Sequence, residues 1–152
     1  MMRALEHKAD ILCRLFTDTQ AFERERAEYS DPLLRSVLPT LHEASDNTDG
    51  AARSATGALF PPYMVLERGM PLADWMRQPR GHLEVAVMVQ ALAALLARLH
   101  GAQRVHRDVK PDNALYMLQT TQWRLLDMGI AAPAGALLCA TPMHSNMPVW
   151  RF

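Results

Sequence analysis

Four side chains stand close enough along the chain to share one reaction centre. Asp108, Lys110 and Asn113 lie within the string His106-Arg107-Asp108-Val109-Lys110-Pro111-Asp112-Asn113, and Asp127 opens the turn Asp127-Met128-Gly129 nineteen residues after Asp108. Their carboxylates, amide and ammonium suit phosphoryl transfer, a reaction that needs positioning and charge neutralisation more than covalent help. Each residue alone also reads as a turn former, since Asp, Asn and Pro favour turns; the joint pattern is what points to chemistry. Other candidates are bare. His7, His42, His82, His100 and His144 show no ligand spacing, and Cys13 and Cys139 match no metal or redox pattern.

The string resembles the catalytic loop of eukaryotic-type Ser/Thr protein kinases, H-R-D-x-K-P-x-N, at six positions, and Asp127-Met128-Gly129 resembles their D-F-G turn with Met in place of Phe. The resemblance implies an α+β, two-lobed protein-kinase-like fold, incomplete, with ATP and Mg²⁺ as cofactors and the Ser/Thr hydroxyl of a protein as substrate. It implies that Asp108 accepts the proton of that hydroxyl and that Lys110 offsets charge on the transferred group. Asn113 and Asp127 would share Mg²⁺, a hard cation that prefers oxygen ligands. Tyr63 to Gly69 resembles the last strand of the smaller lobe running into the hinge, with Leu66 as gatekeeper, the backbone of Glu67 and Gly69 at the adenine edge, and Leu115 beneath the base. Glu25 would be the helix carboxylate paired with the phosphate-binding cation. His106 and Arg107 read as structural, and Thr141 or Ser145 as ordinary surface hydroxyls sooner than phosphorylation switches.

Two departures stand out. The first glycine is Gly50, so no glycine-rich loop precedes the Glu25 segment, and the strand-like Ile11 to Phe16 carries Arg14 where the family has lysine. A planar guanidinium fork is not equivalent to a compact ammonium; Lys8 is the alternative partner for Glu25, and Glu25 itself could be part of a solvated charge run with Glu23, Arg24 and Arg26. No A-P-E follows Thr141-Pro142. The resemblance therefore spans about Ile11 to Gly135, a central slice, divided as residues 1–68 (partial N-lobe) and 69–152 (partial C-lobe). Two rival readings follow: a catalytically impaired module that binds nucleotide or protein, and a truncated fragment with no autonomous function.

The elements expected to position these residues come from periodicity and turn chemistry. Ile11 to Phe16 and Tyr63 to Leu66 read as strands, as does Val37 to Leu41. Gln20 to Tyr29 reads as an amphipathic helix capped from Thr17-Asp18-Thr19 and ended by Asp31-Pro32. Glu43 to Ala58 lacks periodicity and reads as a surface loop. Pro71 to Gln78 predicts a short helix. From Leu83 to His100, Val85, Met88, Val89, Leu92, Leu95, Leu96 and Leu99 recur at three- and four-residue steps, which predicts a long helix with a broad buried face and Gly101 as its C-cap. Ala114 to Met117 and Trp123 to Leu126 predict a strand pair. Beyond Gly129 periodicity is lost.

Composition bounds the rest. The chain has 152 residues, 49% hydrophobic, with 16 basic and 16 acidic side chains that cancel. That is enough apolar material for one core, and neutrality gives no long-range pull toward nucleic acid or anionic lipid. No secretory h-region is visible, and the apolar run Val85 to Ala97 reads as too short to span a bilayer. The expectation is an intracellular protein, cytoplasmic or nuclear, with no nucleic-acid or membrane partner.

Overall fold

A computed structural model describes residues 11–45 and 61–135. In chain order the elements are β1 (Ile11–Leu15), α1 (Thr19–Ser30), a 3₁₀ turn at Pro32–Leu34, β2 (Leu41–Ala44), β3 (Tyr63–Glu67), β4 (Met70–Pro71), α2 (Leu72–Trp75), α3 (His82–Gly101), β5 (Arg104–Val105), a 3₁₀ turn at Pro111–Asn113, β6 (Ala114–Met117), β7 (Gln122–Leu125) and β8 (Ala132–Pro133). Lys8, Cys139, Thr141, Ser145 and most of the Glu43 to Ala58 loop lie outside the described residues.

The first half is an antiparallel sheet in the order β1-β3-β2, with Arg14 opposite Met64 on the central strand. α1 begins where the Asp18 side chain accepts from the Gln20 amide at 2.8 Å, satisfying a donor the first turn leaves open. Phe22, Glu25 and Tyr29 are its buried residues, three and four apart and so on one face. Phe22 meets Phe16 edge to face, ring centres 5.3 Å apart. Asp31 closes the helix and its Oδ1 accepts from the Leu33 amide at 2.9 Å.

Val37 and Leu38 are buried as expected of a strand, but they lie in a turn, and β2 starts at Leu41. The Val37 carbonyl is taken by the Leu125 amide at 2.8 Å, which ties the turn to β7 instead of to a neighbouring strand. The second half is the sheet β4-β6-β7, with α2, α3 and the two-stranded β5-β8 pair around it. α2 is shorter than its apolar pattern suggests. One apolar cluster runs through both halves, from Phe16, Phe22 and Leu34 through Met64 and Leu66 to Leu99, Leu125 and Met128.

α3 departs from the expectation in two ways. Met88, Leu95 and Leu99 are its buried residues, whereas Val85 and Val89 of the predicted face are exposed, with Leu92 and Leu96 partly covered. Gly101 is the last helical residue and Ala102 is the cap; the left-handed position falls on Gln103, φ 58°. At 20 residues the whole of α3 is long and apolar enough to cross a bilayer by length and composition only, although its most apolar run, Val85 to Ala97, is shorter. Its buried residues belong to the common core.

Candidate active site

The loop between β5 and β6 is built around two side chains that the sequence reading treated differently. His106 is fully buried; Nε2 donates to the Leu126 carbonyl at 3.0 Å and Nδ1 accepts the Asp108 amide at 3.2 Å. That pairing needs the neutral ring, and burial holds the His106 pKa below its ordinary value. His106 thus acts as a post, fixing the Asp108 backbone to the segment that leads into Asp127. Arg107, between them, adopts φ 69°, a conformation that costs a non-glycine residue about 1–3 kcal/mol.

Asp108, Lys110 and Asn113 converge. Asp108 Oδ2 accepts from Lys110 Nζ at 2.6 Å and from Asn113 Nδ2 at 2.9 Å, and Asn113 Nδ2 also reaches the Asp108 carbonyl at 2.9 Å. The 3₁₀ turn makes this possible: its Asn113 amide bonds the Lys110 carbonyl at 3.0 Å, folding residue 113 back under residue 108. The Lys110 ammonium, first of the causes, holds the Asp108 carboxyl below the usual carboxylate range, and Asp108 in turn raises Lys110. Asn113 spends its N–H groups on Asp108, leaving Oδ1 as an oxygen donor without a protein partner among the described residues.

Asp127 follows Leu126, whose amide bonds the Asn113 carbonyl at 2.8 Å and whose carbonyl accepts from His106, so the backbone sets Asp127 beside this cluster. Its backbone is strained at φ 68°. Arg14 bridges two acids: Nη1 lies 2.9 Å from Glu25 Oε1 and Nη2 donates to Asp127 Oδ1 at 2.8 Å. The contact to Glu25 is close without the alignment of a hydrogen bond, so it acts as a charge pair. Glu25 is fully buried, and burial pushes its carboxyl up to about 7 against the pull of Arg14 and of the Met128 amide. Arg14, by contrast, is held above its ordinary value by Glu25 and Asp127, which outweigh its own burial. A guanidinium between two carboxylates stays charged, and its pull offsets part of the rise at Glu25. Glu25 is therefore an internal partner of Arg14 and not part of a solvated charge run.

Gly129 closes the cluster. A Cβ there would come within 3.2 Å of Asp127 Oδ1 and 3.4 Å of Glu25 Oε2. Met128 beside it is buried in the core, filling the place that the resemblance gives to Phe. Arg104 Nε reaches both carboxylate oxygens of Glu28, at 3.1 and 3.0 Å, and so pins α1 to β5.

The segment after β3 lies beside β6. Leu66 and Leu115 are both buried, Pro71 pairs with Leu115, and a Cβ on Gly69 would fall 2.8 Å from Leu115 Cβ and 2.8 Å from Met117 Sδ. Gly69 is thus required by close approach. The Glu67 amide is already committed to the Thr40 carbonyl at 2.8 Å. Sequence reasoning missed that Arg14 grips Asp127 as well as Glu25; the two are 113 positions apart and no local pattern links them.

No protein-family model matches the chain. Over 94 residues it is 36% identical to the Homo sapiens serine/threonine-protein kinase/endoribonuclease IRE2, a stretch covering 57% of this chain and 10% of that protein. It is 34% identical over 93 residues to a Drosophila melanogaster serine/threonine-protein kinase, covering 54% and 12%, and 32% identical over 80 residues to the Myxococcus xanthus serine/threonine-protein kinase Pkn1, covering 49% and 12%. The chain thus spans about a tenth of the length of these relatives. The solved structure of the Cydia pomonella granulovirus kinase PK-1 superposes with a TM-score of 0.63 at 18% identity, over 85% of this chain and 46% of that one. The fold and element order are those of a partial, α+β protein-kinase-like domain, and about half of the chain is similar in sequence to Ser/Thr protein kinases.

Proposed function

We propose that the chain carries the phosphoryl-transfer centre of an ATP-dependent protein serine/threonine kinase. The observation that carries this reading is the convergence of Lys110 and Asn113 on one oxygen of Asp108, with Asp127 set next to them by the Leu126–Asn113 backbone bond. Asp108, kept ionised by Lys110, is fit to orient a substrate hydroxyl and accept its proton. Lys110 is half exposed and can turn its ammonium from Asp108 to the moving phosphoryl group, offsetting charge as it develops. Leu66, Leu115 and the backbone of Glu67 and Gly69 would bound the adenine, and Arg14, held by Glu25, supplies the cation of the strand.

The donor set fits Mg²⁺. Asn113 Oδ1 and Asp127 Oδ2 are hard oxygens without protein partners among the described residues, and Arg14 engages the other Asp127 oxygen. Asn113 and Asp127 would hold the ion, which neutralises phosphate charge when bound.

Transfer of label from γ-labelled ATP to casein by the full chain tests the reading. Incorporation should require Mg²⁺ and fall by about 10²-fold or more in Asp108→Asn, the contribution typical of a positioned base. Equal incorporation by the variant, or none by the parent chain, contradicts it. One observation favours a second reading, a module that binds nucleotide without transferring phosphate: the strand cation is Arg14, and it is committed to both Glu25 and Asp127 Oδ1. Binding without incorporation would select that reading.

A further inference from the structure

A groove of about 580 Å³ lies between α3 and the β6–β7 hairpin, and none of Arg14, Glu25, Asp108, Lys110, Asn113 or Asp127 lines it. Its wall is aromatic. Trp75 and Trp123 meet edge to face at 5.5 Å, and Tyr116 tilts against Trp123 at 5.2 Å. Leu118, at the hairpin end, is 62% exposed and lines the same groove, where a bound ligand can cover it.

The charges in the groove do not balance. Arg80 stacks 4.3 Å over Trp75 and is matched by Glu84 at 3.5 Å, which also caps α3. Arg124 has only neutral acceptors, Gln122 Oε1 at 2.7 Å and the Trp123 carbonyl at 3.0 Å. The Arg98 side chain makes no ion pair or hydrogen bond among the described residues, and its charge opposes that of Arg124. Partial burial and that repulsion together outweigh the attraction of Glu67 and hold the Arg124 pKa below its ordinary value. Two guanidiniums without an acidic partner among the described residues thus line one groove with aromatic and aliphatic surface, in a chain whose formal net charge is zero.

We propose that this groove docks a short peptide segment of a partner protein in which acidic residues alternate with apolar ones. A carboxylate set between Arg98 and Arg124 replaces a repulsion by two charge-assisted hydrogen bonds. Its apolar neighbours cover Leu118 and the Trp123 edge, giving the buried anchor that peptide recognition requires. The net neutrality of the chain means that the attraction belongs to the groove and not to a general basic field.

Fluorescence anisotropy on the full chain tests this with three labelled probes: an alternating Leu/Asp peptide, an alternating Leu/Lys peptide and polyaspartate. The Leu/Asp peptide should bind, at least about tenfold more tightly than either other probe, a difference of about 1.4 kcal/mol. Arg98→Glu and Leu118→Asp should each weaken that binding by about tenfold while leaving the melting temperature unchanged, since both side chains are exposed. Equal binding of the Leu/Asp and Leu/Lys peptides, equally tight polyaspartate, no binding of any probe, or full affinity in Arg98→Glu would each overturn the proposal.

Discussion

Asp127 combines a left-handed backbone with a side chain held by Arg14, and Gly129 lies against the same oxygen. The turn is therefore tightly packed on its inner side. Gly129→Ala should destabilise the chain by about 1–3 kcal/mol, the cost of forcing extra atoms into a packed site; chemical denaturation measures it, and a variant as stable as the parent would mean that the carboxylates can move aside. His106 gives a pH signature. Its folded pKa lies below the ordinary 6.5, so the unfolded chain takes up a proton first as pH falls. The stability His106 contributes is complete above about 6.5 and is lost as pH drops below it. Glu25, with its raised pKa, works in the opposite sense, so the effect is read as the difference between the parent and His106→Gln, in which Glu25 cancels. That difference should shrink as pH falls from 7 toward 5; a difference that grows would place the charged ring in the folded state. At this scale the cluster of Asp108, Lys110 and Asn113 was legible because the three are neighbours in sequence. The Arg14–Asp127 contact was not, because it depends on α1 and β1 being set against a turn more than a hundred positions away.

Among the elements, α3 shows where periodicity stops being informative. Apolar residues at three- and four-residue steps identify a helix and its length well, but they do not say what lies against it. Met88, Leu95 and Leu99 face the core, while Val85 and Val89 share the apolar pattern and remain exposed. Leu95→Ala should cost about 2–5 kcal/mol through lost burial and the cavity left behind. Val89→Ala should change stability by no more than about 0.5 kcal/mol, as for an exposed position. Urea denaturation of the two variants decides it, and comparable losses would mean that both faces are covered. Val37 and Leu38 make the same point for strands: they read as the start of a strand, yet the hydrogen bond from Leu125 holds them in a turn. The short pairs β4, β5 and β8 carry no sequence signal at two residues each and exist because their partners are already in place.

For the whole molecule, the α+β order of elements and the single core joining both sheets bring residues from β1, α1, the β5–β6 loop and the post-β7 turn to one place. The central claim is that this place holds a metal–nucleotide complex through Asn113 and Asp127. Thermal unfolding of the full chain with ATP plus Mg²⁺, and with ATP plus chelator, tests it most directly. A ligand present at 100 times its dissociation constant stabilises the folded state by about 2.7 kcal/mol, a readily seen shift. The account predicts a rise in melting temperature that needs both ATP and Mg²⁺ and disappears in Asp127→Asn. A transition indifferent to Mg²⁺–ATP, or the same rise in Asp127→Asn, would contradict it.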